Sequence, residues 1–164
     1  MKLNFINVLA VADLAAGCTE AVVNQDTDFT ITDGWKIQSS EIVGLDADAL
    51  CRESAEWYDA KVPSTVLGTL TQHGLYADAF IGTNYDKVID RDDFKEPWWY
   101  VNDFSVPALK EGQRVSLDFE GICYSAEVWL NGTQIASREE MTGPYRQLTF
   151  DVTDRIAEHN TWAA

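Results

Sequence analysis

From Trp98 onward the chain alternates apolar and polar residues with the period of two that a half-buried β-strand requires. Trp99, Val101 and Asp103 share one face, and Tyr100, Asn102 and Phe104 share the other. After a turn signalled by Pro107 and Lys110-Glu111-Gly112-Gln113, residues 115–119 alternate again. In the next run Ile122, Tyr124, Ala126, Val128 and Leu130 define one face of a strand, with Cys123, Ser125, Glu127 and Trp129 on the other. Asn131-Gly132 follows directly, and this pair best tolerates the two positive φ angles of a type I′ hairpin turn. Residues 133–136 are the returning strand. A Gly143-Pro144 break precedes Leu148, Phe150 and Val152 at period two, which run into a helical turn capped by Thr153.

The N-terminal half is less regular. Residues 29–31 and 35–37 read as two short strands joined at Asp33-Gly34, hence an edge hairpin. Residues 38–56 lack periodicity and read as a loop with one helical turn. Ser64 N-caps a helix through Gln72, whose Val66, Leu67 and Leu70 share a face, with Gly74 at its C-terminal end. Residues 74–97 form a long irregular stretch with an acidic run at Asp90-Arg91-Asp92-Asp93, and ordered loops of that length often border function. Many short alternating strands and one short helix predict an all-β, antiparallel β-sandwich. The chain ends just after the turn at Thr153, and a sandwich of this kind needs a further strand or two over its open edge, so its C-terminal edge is expected to be truncated.

Composition narrows the function classes. The 164 residues carry 12 Lys plus Arg against 27 Asp plus Glu, a net charge of −15, with 46% hydrophobic residues and six Trp. So apolar a chain folds rather than forming an acidic disordered tail. It is too short for an α/β barrel of about 250 residues. Nucleic acid is excluded as a partner, since phosphate-backbone binding needs clustered Lys and Arg.

Residues 1–18 start with Lys2, continue through an apolar stretch and end in Leu14-Ala15-Ala16-Gly17-Cys18. They read as an export segment, too short to span a bilayer, whose end resembles a bacterial lipobox with Cys18 as the lipidated residue. The alternative is a frayed N-terminal segment with a chance Cys. On the export reading, residues 19–27 are a linker, residues 28–164 form the sandwich domain, and the protein resides in the bacterial cell envelope, as a lipoprotein or in the periplasmic or extracellular space. Cys51 and Cys123 can then make one disulfide at most, and the sequence leaves their pairing open. His73 and His159 stand far apart and far from any Cys, so no metal site is expected. His73 reads as a charge partner at the end of its helix.

The order of several segments carries a resemblance. Glu96-Pro97-Trp98-Trp99-Tyr100, Leu117-Asp118-Phe119-Glu120-Gly121-Ile122 and Ala126-Glu127-Val128-Trp129-Leu130-Asn131-Gly132 resemble the N-terminal sugar-binding domain of glycoside hydrolase family 2. Upstream, Val62-Pro63-Ser64-Thr65-Val66-Leu67, Gly74-Leu75-Tyr76-Ala77-Asp78 and Gly82-Thr83-Asn84 fit the same pattern, as do Gly143-Pro144-Tyr145 and Phe150-Asp151-Val152-Thr153 downstream. The likeness covers residues 28–160. The Trp-Trp-Tyr variant is most similar to the β-mannosidase and exo-β-glucosaminidase branch, although Ala79 stands where that branch usually has Pro and Val101 where it often has Arg.

The resemblance implies a galactose-binding-domain-like jelly roll attached to a retaining exo-β-glycosidase that hydrolyses terminal β-linked sugars. In such enzymes two carboxyls about 5 to 5.5 Å apart act as nucleophile and acid/base, and the resemblance places both on a later α/β barrel. No catalytic residue is therefore assigned here, no cofactor is expected, and the chain by itself is expected to be inactive. The partners implied are a β-mannoside or β-glucosaminide, reached through the catalytic domain, and that barrel domain itself. Trp98 and Trp99 are the candidate carbohydrate-binding residues. As neighbours in a strand they face opposite sides, so one can be core while the other is free to stack on a sugar or on the catalytic domain. Trp129 is expected to pack between the sheet and a neighbouring loop. The alternative function is a free-standing carbohydrate-binding module.

Overall fold

A computed structural model describes residues 1–7, 27–46 and 56–164. The chain runs through strands β1 (Lys2–Asn7), β2 (Thr27–Thr30) and β3 (Trp35–Ser39), helix α1 (Ser40–Val43), β4 (Tyr58–Ala60), α2 (Val66–Gln72) and α3 (Tyr85–Val88). It continues through β5 (Trp98–Ser105), β6 (Gln113–Phe119), β7 (Val128–Leu130), β8 (Thr133–Ala136), α4 (Arg138–Met141), β9 (Leu148–Asp151) and β10 (His159–Ala163). The strands form two sheets, of order β2-β1-β6-β9 and β4-β3-β5-β10-β7-β8. All their pairings are antiparallel. The expected all-β, antiparallel sandwich is therefore the observed architecture.

Alternation builds the core. In β6, Val115, Leu117 and Phe119 are buried while the residues between them are not. Leu3 of β1 joins them, facing Trp35, Ile37, Val128, Leu130 and Trp162 of the six-stranded sheet. The Trp35 and Trp162 rings meet edge to face at 4.6 Å, and Phe119 bridges the sheets with its ring 6.0 Å from that of Trp162. Each such side chain contributes about 1.5–3 kcal/mol on leaving water, so the inter-sheet layer dominates the fold's stability.

Several elements differ from the sequence reading. Residues 29–31 and 35–37 do not form a hairpin, because β2 pairs with β1 in one sheet and β3 with β4 and β5 in the other. Asp33-Gly34 is the point where the chain crosses between sheets. Gly34 has φ 79°, and a Cβ there would lie 3.3 Å from Asn102 Nδ2, which itself donates to the Asp33 carbonyl at 2.9 Å. The run from Ile122 to Leu130 is a strand only over β7; the positive φ of Gly121 opens an irregular segment ahead of it.

The helix after residue 64 is capped by Thr65, not Ser64, with Thr65 Oγ1 accepting from the Gly68 N–H at 3.0 Å. His73 is that helix's C-cap residue, and its ring bonds the Asp59 carbonyl at 2.7 Å. Thr153 does not cap a helix. Its hydroxyl donates to Asp151 and accepts from the Val115 N–H, tying the chain after β9 to β6.

Two strands went unread in the sequence. β10 lies at the centre of the six-stranded sheet, between β5 and β7, beyond the turn at Thr153 with which the sequence pattern ends. β1 lies between β2 and β6, and its residues fall inside the segment read as an export signal. Cys18, the linker through residue 26 and Cys51 lie outside the described residues.

The hairpin at Asn131-Gly132 is as expected, with φ 51° and 75°. Asn131 also anchors the turn. Its Nδ2 donates to the Arg155 carbonyl and to Asn160 Oδ1 at 2.8 and 2.9 Å, and its Oδ1 accepts from the Thr161 N–H at 3.0 Å.

Candidate functional site

Residues at the ends of both sheets and of the segment leading into α2 enclose a cleft of about 690 Å³. Trp98, Tyr100, Trp162 and Ala164 line it from the six-stranded sheet, Phe119 from β6, and Val62, Pro63 and Val66 from the segment leading into α2. Glu120 and Arg138 supply its charged side chains.

Strand alternation sends Trp98 and Tyr100 into this cleft and Trp99 to the opposite face. Trp98 is half-buried, and its indole N–H donates to the Asp93 carbonyl at 3.2 Å, which ties β5 to the acidic run. Tyr100 donates its hydroxyl to the Ser64 carbonyl at 3.2 Å, and burial pushes its pKa up to about 12. Trp162 is buried beside the cleft, and its indole N–H has no acceptor among the described residues. Trp99 is only 7% exposed; it packs with Val43 of α1 and Ala163, and donates to the Gly44 carbonyl at 2.8 Å. Of the two candidate sugar platforms, Trp98 borders open space and Trp99 does not. Trp129 packs against the Trp99 cluster, as expected of a structural aromatic.

The excursion between α2 and β5 contains α3, and a short 3₁₀ turn at Asp92–Phe94. Tyr76 donates its hydroxyl to the Asp93 carboxylate. Burial, then that bond and the negative charge beside it, raise the Tyr76 pKa to about 12. The excursion exposes Phe80 and Ile81 at 65% and 62%, along with Tyr85 and Val88.

Several of the acidic side chains have local tasks. Asp90 accepts from the Asp92 N–H at 2.9 Å, Asp92 pairs with Lys95, and Glu140 completes a capping box with Ser137 at the start of α4. Those bonds to Ser137 hold the Glu140 carboxyl below the usual carboxylate range. Among the described residues no three metal-ligating side chains cluster, and no helix is long and apolar enough to cross a membrane. Cys123 is an exposed free thiol.

The fold and its cleft, bordered by the Trp98-Trp99-Tyr100 strand, define an antiparallel two-sheet β-sandwich domain. Residues 35–163 match the family model described as glycosyl hydrolase 2 galactose-binding domain-like, and the chain belongs to that family. It is 39% identical over 132 residues to the exo-β-D-glucosaminidase of Streptomyces avermitilis, a match covering 79% of this chain and 14% of that protein. With the mannosylglycoprotein endo-β-mannosidase of Lilium longiflorum it shares 40% identity over 104 residues, covering 62% of this chain and 10% of that one. The crystal structure of Amycolatopsis orientalis exo-chitosanase CsxA superposes with a TM-score of 0.70 at 34% identity, over 80% of this chain and 15% of that chain. This chain thus spans about one seventh of the length of its exo-glucosaminidase relatives, and the portion it matches is their N-terminal domain.

Proposed function

We propose that this chain is the non-catalytic N-terminal sandwich of a retaining exo-β-glycosidase that releases terminal β-linked glucosamine or mannose. The observation that carries the reading is the family match over residues 35–163. Relatives of this domain include exo-β-D-glucosaminidases and β-mannosidases. The described acidic side chains support it too, since those with assigned tasks cap helices and pair with surface cations. In the intact enzyme the nucleophile and acid/base belong to a separate barrel domain. The exposed Phe80 and Ile81 suit a module whose excursion meets the rest of a larger protein. The test is the polypeptide continuing from this domain. It should contain a barrel with two Glu-bearing strand ends, and replacing either Glu by Gln should lower kcat on an aryl β-glucosaminide or β-mannoside by several orders of magnitude.

A second reading, a carbohydrate-binding module acting alone, is favoured by the half-buried Trp98 at the mouth of the cleft. Calorimetry with glucosamine, mannose and their oligomers decides it. Heat of binding that disappears in Trp98→Ala supports this reading, and no heat with any of these sugars removes it.

Export and lipid attachment at Cys18 are proposed separately. Cleavage before Cys18 would remove β1, which lies between β2 and β6. The intact mass of the mature protein tests this: an N-terminus at Cys18 carrying acyl chains supports the anchor, and one that retains Lys2–Asn7 overturns it.

A further inference from the structure

Tyr124 and Tyr145 stand on neighbouring loops and are exposed at 60% and 93%. Tyr124 belongs to the irregular segment between β6 and β7, and Tyr145 to the segment between α4 and β9. The two loops are fixed to each other. The Gly143 N–H donates to the Tyr124 carbonyl at 2.9 Å, and a Cβ on Gly121 would lie 3.9 Å from the Tyr145 Cα. Arg146 braces the second loop, its Nη1 donating to the Glu140 and Thr142 carbonyls at 2.8 and 3.0 Å. Within that frame Tyr145 keeps φ 61°, a left-handed conformation that is costly for a bulky residue. Neither phenol makes a hydrogen bond or a ring contact among the described residues, so the domain's own packing does not account for that conformation.

The surroundings are acidic. Glu120 and Glu127 flank Tyr124 in the chain, Glu139 and Glu140 precede Tyr145, and all four are exposed, against the cations Arg138 and Arg146. The whole chain carries a net charge of −15. Such a field concentrates cations at the surface, and the face of a tyrosine ring attracts a cation through its quadrupole.

We propose that Tyr124 and Tyr145 form a stacking platform for a β-linked amino-sugar oligomer, whose rings lie on the tyrosines and whose ammonium groups are drawn by the carboxylates. This rests on the reading of the chain as a domain of a glycosidase that meets glucosamine or mannose. Of those two sugars only glucosamine carries an amine. Charge complementarity therefore selects the glucosamine oligomer, while a neutral mannose oligomer gains stacking alone.

The experiment is calorimetry on the 164-residue chain with β-linked glucosamine and mannose oligomers of equal length, in low salt at a pH of about 5.5. There carboxylates with ordinary values of about 3.9 to 4.3 are ionised and the sugar amines carry protons. The glucosamine oligomer should bind at least about tenfold more tightly than the mannose oligomer, and about 0.5 M salt should remove most of that difference. Tyr145→Asn, chosen because Asn tolerates positive φ, should weaken glucosamine-oligomer binding about threefold, and Tyr124→Ser added to it about tenfold. Neither change should lower Tm. In the unmutated chain the ring protons of both tyrosines should shift on adding the oligomer. Absent binding, equal binding of the two oligomers, a difference that survives salt, undiminished binding by the double variant, or unmoved ring signals each overturn the proposal. So does a Tyr145 ring covered by the rest of the polypeptide in the longer protein, read by fluorotyrosine NMR with a soluble paramagnet. Any of these failures leaves the glycosidase reading standing, because that reading is judged by turnover in the longer protein. Absent turnover there would not alter binding measured on this chain.

Discussion

Trp98 and Trp99 are adjacent in sequence, yet the two faces of the six-stranded sheet on which they lie are finished differently. On the outer face α1 folds back over β5, and Trp99 is sealed between Val43 and Ala163 with its indole N–H on the Gly44 carbonyl. The inner face, facing the four-stranded sheet, is closed only along part of its length; where β6 ends at Phe119 it opens into the cleft beside Trp98 and Tyr100. Both faces of β5 carry a tryptophan. What differs is whether another element crosses over the sheet, and that decides which aromatic is structural and which is available to a partner.

The difference has measurable consequences. Trp99→Ala should be the most damaging substitution of the pair, costing about 3–5 kcal/mol in urea-induced unfolding, because it empties a sealed site. If it cost no more than Trp98→Ala, the contrast between the two faces would fail. Leu3→Ala, at the closed end of the inner face, should cost about 2–4 kcal/mol, because Leu3 is fully buried against β6. An unchanged urea midpoint there would mean that β1 is not part of the folded sandwich. Trp98→Ala should cost only about 1–2 kcal/mol, since half of the ring's surroundings are already open.

The smallest effect belongs to the exposed Asp151. Its carboxyl is held below the usual carboxylate range first by the Thr153 hydroxyl and N–H, then by Arg114. A depressed folded-state pKa gives stability that is present above the unfolded value, about 3.9, and is lost as pH falls through the folded value. Thr153→Val should therefore raise the Asp151 pKa in a carboxyl-carbon NMR titration and lower Tm modestly at pH 7, where the carboxylate's stabilisation is fully present and the Val115 N–H also loses its acceptor. An unmoved titration would show that Thr153 does not set it.

Much of this contrast was legible in the chain. Alternation in β5 and β6 gave the opposite orientations of Trp98 and Trp99, and Asn131-Gly132 marked the β7–β8 turn. Which tryptophan is sealed was not legible, because it depends on α1, a four-residue helix in a stretch without periodicity. β10 was missed because His159-Asn160-Thr161-Trp162-Ala163 shows little alternation. Its polar Asn160 is buried by hydrogen bonds to Asn131 and to the backbone of Ala157, a tertiary reason invisible to pattern. The expected hairpin at Asp33-Gly34 is absent for a related cause: turn chemistry marks where the chain reverses or crosses, but not which sheet receives the next strand. Tyr100 and Trp162, which shape the cleft with Trp98, carry no local signal beyond being aromatic; only their convergence distinguishes them.

The proposed role is that of a sandwich serving a glycosidase whose chemistry lies elsewhere in the polypeptide. Its most direct test is release of p-nitrophenol from p-nitrophenyl β-D-glucosaminide and β-D-mannoside, measured for the 164-residue chain alone and for the same chain joined to the sequence that follows it. No release above the buffer blank is expected from the chain alone, and steady turnover of one of the two substrates from the longer protein. Turnover by the 164-residue chain, or none by the longer protein with either substrate, would contradict it.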